Sequence, residues 1–207
     1  MANETDLKSA VTKKLVSRTS FYLVFVALLL FVSAGTLNWP AAWVYLALSA
    51  IVSIGGGLWL ARYDPALLAE RLKPVIQREQ KGWDKLFMIL MMGLWFGWLV
   101  LMGLDAGRFH WSRVPLFVQV AGAGLIGLGS YLVGLTFKAN SYAAPVVKIQ
   151  KERGHQVVTT GPYAYVRHPM YAGALFFIVG APLLLGSWWG LAGAALLVLA
   201  MAIRAVL

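Results

Sequence analysis

The sequence predicts an all-α integral membrane protein with about six transmembrane helices, or five with a C-terminal helical hairpin as the alternative count, and one long polar loop on the cytoplasmic side. Three observations predict it. The 207 residues are 60% hydrophobic, with a mean hydropathy of +0.72, more apolar than soluble domains of this size. The apolar residues gather into runs long enough to cross a hydrocarbon core of about 30 Å as helices. The charged residues, 13% of the chain, lie almost wholly between those runs.

The chain reads as a single membrane domain, 1–207, in four parts. Residues 1–20 form a basic tail in which Leu7, Val11 and Leu15 recur every fourth position among lysines. That spacing fits a short helix on the membrane surface, or else a frayed basic tail. Glu4 and Asp6 ahead of the lysines, and the lack of a small-residue cleavage site, argue against a cleavable signal. Residues 21–137 hold four crossings, Phe21–Leu37, Ala41–Ala61, Leu86–Leu104 and Leu116–Phe137. Residues 138–170 are the polar loop. Residues 171–207 carry no charge from Tyr171 to Ile203. One straight helix of that length would reach about 50 Å, so Pro182, Gly186 and Ser187 are expected to break it into a hairpin, Tyr171–Leu185 and Trp188–Ile203. Between the second and third crossings, Asp64-Pro65 reads as an N-cap and first-turn proline. Leu67, Leu68 and Leu72 would then form the apolar face of an interfacial helix that anchors in the membrane.

Charge sets the expected topology. The formal net charge is +10, and lysines and arginines crowd the N-terminal tail, the Arg62–Lys85 loop and the Lys138–Arg167 loop. Only Arg108 and Arg113 fall on the other side. The positive-inside bias therefore puts both termini and both long loops in the cytoplasm, with the chain in the cytoplasmic membrane if it is prokaryotic. Basic residues so placed imply contact with anionic membrane lipids rather than nucleic acid. With no cysteine, disulfides, thiolate metal sites and a cysteine nucleophile are excluded, and three scattered histidines with few acids nearby predict no metal.

Gly122-Ala123-Gly124-Leu125-Ile126-Gly127 matches the dinucleotide fingerprint by letter. That fingerprint works only at a strand-to-helix turn. Inside an apolar run, with Gly129 close behind, it predicts close helix packing instead.

The chemistry concentrates between Lys138 and Tyr171. Asn140, Gln150, His155, Thr159, Thr160, Tyr163, Arg167, His168 and Tyr171 collect against the membrane face. Val146–Ile149 and Gln156–Thr159 could pair as short strands. Pro169 suits the first turn of the next helix, which puts His168 at a helix N-terminus favourable to an anionic group.

The string Gly161-Pro162-Tyr163-Ala164-Tyr165-Val166-Arg167-His168-Pro169-Met170-Tyr171, preceded by His155-Gln156-Val157-Val158-Thr159, resembles the signature of the isoprenylcysteine carboxyl methyltransferase family, which is related to the phospholipid N-methyltransferases. The resemblance covers roughly residues 140–204 and is weak before Leu86. It implies a membrane methyltransferase that uses S-adenosylmethionine without a Rossmann domain. The cofactor-binding loop it implies places contacts at Gln150, His155, Gln156, Val157, Val158, Tyr163, His168, Pro169, Met170 and Tyr171, with His168 also counted catalytic. It matches Arg204 to an arginine that binds the methyl acceptor and acts in catalysis. The implied acceptor is a lipophilic or prenylated small molecule. A carboxylate acceptor is ionised at neutral pH and needs no base; an amine acceptor would need His155 or a tyrosine to take its proton. The family pattern has an acidic pair a few residues after that arginine, and the sequence stops at Leu207 before one occurs. A truncated chain, or an incomplete and weak cofactor site, is the expectation. Two other readings stay open: an NADPH-dependent membrane reductase of the sterol reductase type, which shares an Arg-His-Pro-like string, and a non-catalytic family member.

Overall fold

A computed structural model of the protein describes residues 4–74, 76, 82–143 and 157–206. The described residues contain no strand, so the all-α expectation holds. Gln150, His155, Gln156 and the Val146–Ile149 strand lie outside the described residues; Val157 to Thr159, the rest of the expected partner strand, are irregular.

α1 (Glu4–Ala34) is one uninterrupted helix. Residues 4–20 of the expected basic tail therefore continue without a break into the first crossing. Lys8 to Arg18 form the first turns of the membrane helix itself, and Val11 and Leu15 are buried at 5% exposure. After a turn come α2 (Pro40–Ala50), a π-helical turn (Ile51–Gly55) and α3 (Gly56–Tyr63), which together make the second span. The π-helical turn ends at Gly55, the first of three glycines where helix propensity is weakest.

α4 (Pro65–Arg71) begins as its sequence demands, with Asp64 Oδ1 accepting the Leu67 N–H at 2.8 Å. Its apolar face does not anchor in lipid. Leu67, Leu68 and Leu72 pack with Val11 and Leu15 of α1 and Leu60 and Ala61 of α3 in a small core of their own. The apolar faces of neighbouring elements bury each other inside the protein.

α5 (Gly82–Met102) runs on through a second π-helical stretch, Gly103–Phe109, so the helix continues past Leu104, where the third crossing was expected to end, and Asp105 is buried. α6 (Leu116–Ala139) precedes a short 3-10 turn, Gly161–Ala164, α7 (Pro169–Leu185) and α8 (Trp188–Val206). The C-terminal hairpin is as expected, but Pro182 does not end α7. Gly186, at φ 82°, does: its N–H donates to Leu183 and that of Ser187 to Pro182, the left-handed closure that glycine permits.

Four spans, 8–34, 40–63, 82–109 and 116–139, are long and apolar enough to cross a membrane, while 169–185 and 188–204 are shorter apolar helices. Large side chains such as Phe21, Leu116 and Phe117 point outward, each about three-quarters exposed, a surface suited to lipid. The main core joins α1, α2, α5, α6, α7 and α8.

The Gly-rich run in α6 packs against α7. A Cβ at Gly122 would lie 2.5 Å from the Leu184 nitrogen and one at Gly180 2.6 Å from the Gly122 carbonyl; Gly129 and Gly173 face each other in the same way. Only glycine allows this approach. Gly124 and Gly127, the other glycines of the letter-perfect fingerprint, face open space.

Candidate functional site

α7 and α8 are antiparallel, so the start of α7 and the end of α8 meet at one end of the bundle, called here the site end. His168 is the residue before the first turn of α7, with Pro169 at its first position. Its ring is exposed and stacks on Tyr171, centroids 5.4 Å apart and planes at 21°. Pro169 is buried, Tyr171 half-buried, and Met170 packs against the α1–α3–α4 core. Tyr163, in the 3-10 turn, accepts a hydrogen bond on its hydroxyl from Asn140 Nδ2 at 2.8 Å, and Asn140 Oδ1 accepts the Tyr142 N–H at 2.8 Å. Asn140 thus ties the end of α6 to the turn before α7. Val157 lies 89% exposed and Val158 is half-buried.

Arg204, near the end of α8, forms a buried ion pair. Its Nε and Nη2 donate to Asp84 Oδ1 at 3.1 and 2.9 Å. The arginine side chain is 13% exposed and the Asp84 side chain 0%. The guanidinium also faces the Phe87 ring at 5.4 Å.

Arg71 supports the loop from the α4 side. Its Nη1 donates to the Ala143 carbonyl at 2.9 Å and its guanidinium lies 4.3 Å over the Phe137 ring. Burial pushes its pKa down to about 10, so it stays charged at neutral pH and answers that charge with the ring face and the carbonyl.

Two apolar cavities adjoin these groups. One, of about 650 Å³, runs between α6 and the 3-10 turn past Lys138, Pro162, Tyr165 and Pro169. The other, of about 400 Å³, lies inside the bundle, walled by Trp59, Met91, Trp95, Phe137, Phe177 and Met201 among others. Ser130 on its wall satisfies its hydroxyl within its own helix, on the Ile126 carbonyl, leaving the cavity apolar.

Residues 117–207 match the family model described as phospholipid methyltransferase. The chain is 30% identical over 129 residues to a protein-S-isoprenylcysteine O-methyltransferase of Schizosaccharomyces pombe, covering 54% of this chain and 55% of that protein. It is 33% identical over 82 residues to one of Saccharomyces cerevisiae, covering 39% of this chain and 34% of that protein. No solved structure matches. The C-terminal part of the chain is thus similar to phospholipid methyltransferases and to isoprenylcysteine methyltransferases. The chain spans about half the length of the Schizosaccharomyces relative and a third of the Saccharomyces one.

Of the residues that the family pattern singles out, the described structure gathers Tyr163, His168, Pro169, Met170 and Tyr171 around the start of α7, and puts Arg204 at the same end of the bundle. Sequence reasoning missed Asp84, Asn140 as the partner of Tyr163, and Arg71. Asp84 carried a usable signal. An acid at the edge of an apolar run needs a partner, and such residues mark function by default; counting only lysines and arginines for topology passed over it.

Proposed function

We propose that the chain is a member of the isoprenylcysteine carboxyl methyltransferase family and transfers a methyl group from S-adenosylmethionine to the carboxylate of a lipophilic acceptor, an isoprenylcysteine. The observation that carries this reading is a largely buried arginine, Arg204, at the same end of the bundle as the His168–Tyr171 helix start and one turn beyond Met201, which walls an interior apolar cavity of about 400 Å³. The names of the two yeast relatives support the acceptor class.

The residues fit the cofactor. Its amino-acid carboxylate suits the exposed His168 face at the positive dipole end of α7. Its adenine suits an apolar groove of about 650 Å³ walled by Pro162 and Tyr165. Once bound, the cofactor supplies an electrophilic methyl on a positively charged sulfur. The protein's share is alignment and exclusion of water. Arg204 would orient the acceptor carboxylate, which is ionised at neutral pH and needs no general base. The isoprenoid would lie in the interior cavity, entering between helices, while the cofactor enters from the cytoplasm. This requires the site end to face the cytoplasm, as the distribution of basic residues supports.

The test uses purified protein in lipid nanodiscs with methyl-labelled S-adenosylmethionine and N-acetyl-S-farnesylcysteine. Base-labile methyl ester is the expected product, and His168→Ala is expected to abolish cofactor binding in calorimetry. Binding of NADPH alone, without S-adenosylmethionine, would overturn the reading; His168→Ala with unchanged affinity would remove the cofactor assignment at α7.

A further inference from the structure

We propose that Asp84 is a positioning residue: it is the resident counter-ion that holds the Arg204 guanidinium at the site end of the bundle between turnovers, in the orientation that receives the acceptor's carboxylate. The proposal rests on the acceptor-binding reading of Arg204 and adds to it a residue from the other side of the bundle.

The helical repeat locates the pair. Leu197, Met201 and Arg204 share one face of α8, and Asp84, Met91 and Trp95 share one face of α5. Met91, Trp95, Leu197 and Met201 all wall the interior cavity. The pair therefore lies on the same two faces nearer the site end, one turn beyond Met201 on α8 and two turns before Met91 on α5. α5 fixes the guanidinium twice, since Asp84 Oδ1 takes both Nε and Nη2 and Phe87, one turn on, offers its ring.

The chemistry explains why a carboxylate should stand there. The acceptor is an anion before methyl transfer and a neutral ester after it. An arginine whose counter-ion was the acceptor alone would lose it at every turnover. Buried at 13% exposure, it would then leave for water or the headgroups, which its long stem permits. Asp84, fully buried, keeps the charge answered whether the acceptor is acid, ester or absent. A buried ion pair is a poor stabiliser compared with apolar packing, so its presence fits a task for the arginine better than a purely structural one.

The experiment measures wild type, Asp84→Asn, Asp84→Glu and Arg204→Gln in nanodiscs. Its readouts are methylation of N-acetyl-S-farnesylcysteine, S-adenosylmethionine affinity, and inhibition by the neutral carboxamide of the same acceptor. Asp84→Asn is expected to raise the acceptor KM about tenfold, the scale of one charge-assisted hydrogen bond. The saturated rate, the cofactor affinity and the carboxamide inhibition constant should stay at wild-type values, and Asp84→Glu should recover part of the acceptor KM. A merely structural role would move all of these together, the carboxamide included, and would overturn the proposal. A raised acceptor KM in Arg204→Gln with an unchanged one in Asp84→Asn would also overturn it while leaving the arginine's role intact. An unchanged KM in Arg204→Gln, or no methylation by wild type, would remove that role and the proposal with it. Acceptor binding, read separately by quenching of Trp59 and Trp95 on the cavity wall, decides between these last two.

Discussion

Two aspartates lie at opposite ends of one continuous helix, and both are fully buried: Asp84 in the first turn of α5 and Asp105 in its π-helical extension. Asp105 is held by neutral donors. Its Oδ2 accepts from Ser112 Oγ at 2.7 Å, Ser187 Oγ at 2.5 Å and the Trp189 N–H at 3.3 Å. Its Oδ1 has no hydrogen-bond partner among the described residues. Ser187 in turn accepts the Gly190 N–H at 2.7 Å, so the carboxylate sits on the first turn of α8, where the helix dipole favours a negative charge. Asp84 meets a full cation instead, at the last turn of that same α8. The far end is thus closed by short side chains and backbone that have no other conformation to reach. The site end is closed by a long side chain that can leave. The fold keeps its movable charge where the chemistry is proposed and a fixed clasp where it is not.

Breaking the two ends should expose this difference. Arg204→Ala takes the guanidinium from the buried Asp84 carboxylate, and should cost about 3–5 kcal/mol in unfolding measured in detergent. Asp84→Ala should cost less than Arg204→Ala, because the arginine can snorkel out; equal losses would show that Arg204 is as immobile as its partner. Asp105→Ala removes three hydrogen bonds and should cost about 2–3 kcal/mol, with S-adenosylmethionine affinity unchanged in calorimetry. A loss of that affinity would mean that the two ends are coupled through α8. Gly129→Ala forces apart α6 and α7, where a Cβ would sit 2.5 Å from the Gly173 carbonyl, and should cost about 1–3 kcal/mol. The smallest effect belongs to Asn140→Ala. It should cost about 1 kcal/mol through the lost bond to Tyr163, seen as a few-fold weaker cofactor affinity in calorimetry.

The sequence made the spans legible because a membrane imposes length and hydrophobicity on each helix separately. α6, α7 and α8 lie within a few residues of their expected bounds. What it concealed were choices between helix and loop at polar residues. Lys8 to Arg18 looked like a tail because their charges mask the buried Val11 and Leu15, and Asp105 looked like the start of a loop because its partners, Ser187 and Trp189, are far along the chain. The site divides the same way. His168 to Tyr171 is a contiguous string whose geometry follows from one helix start, and could be read locally. The Asp84–Arg204 pair joins residues 120 positions apart, and although an acid at the edge of an apolar run asks for a partner, no local pattern says which.

The glycine pairs between α6 and α7 carry a consequence for binding. They weld two helices into one post, and Gly161 adds a close contact at its site end, where a Cβ would meet that of Ala139 at 3.1 Å. The chain between Ala139 and Pro169 leaves this post and returns to it, so its ends are already together before any ligand arrives. The entropy of closing that ring is met by folding rather than by binding. Free energy gained from ligand contacts there can go into affinity instead of into assembling the site.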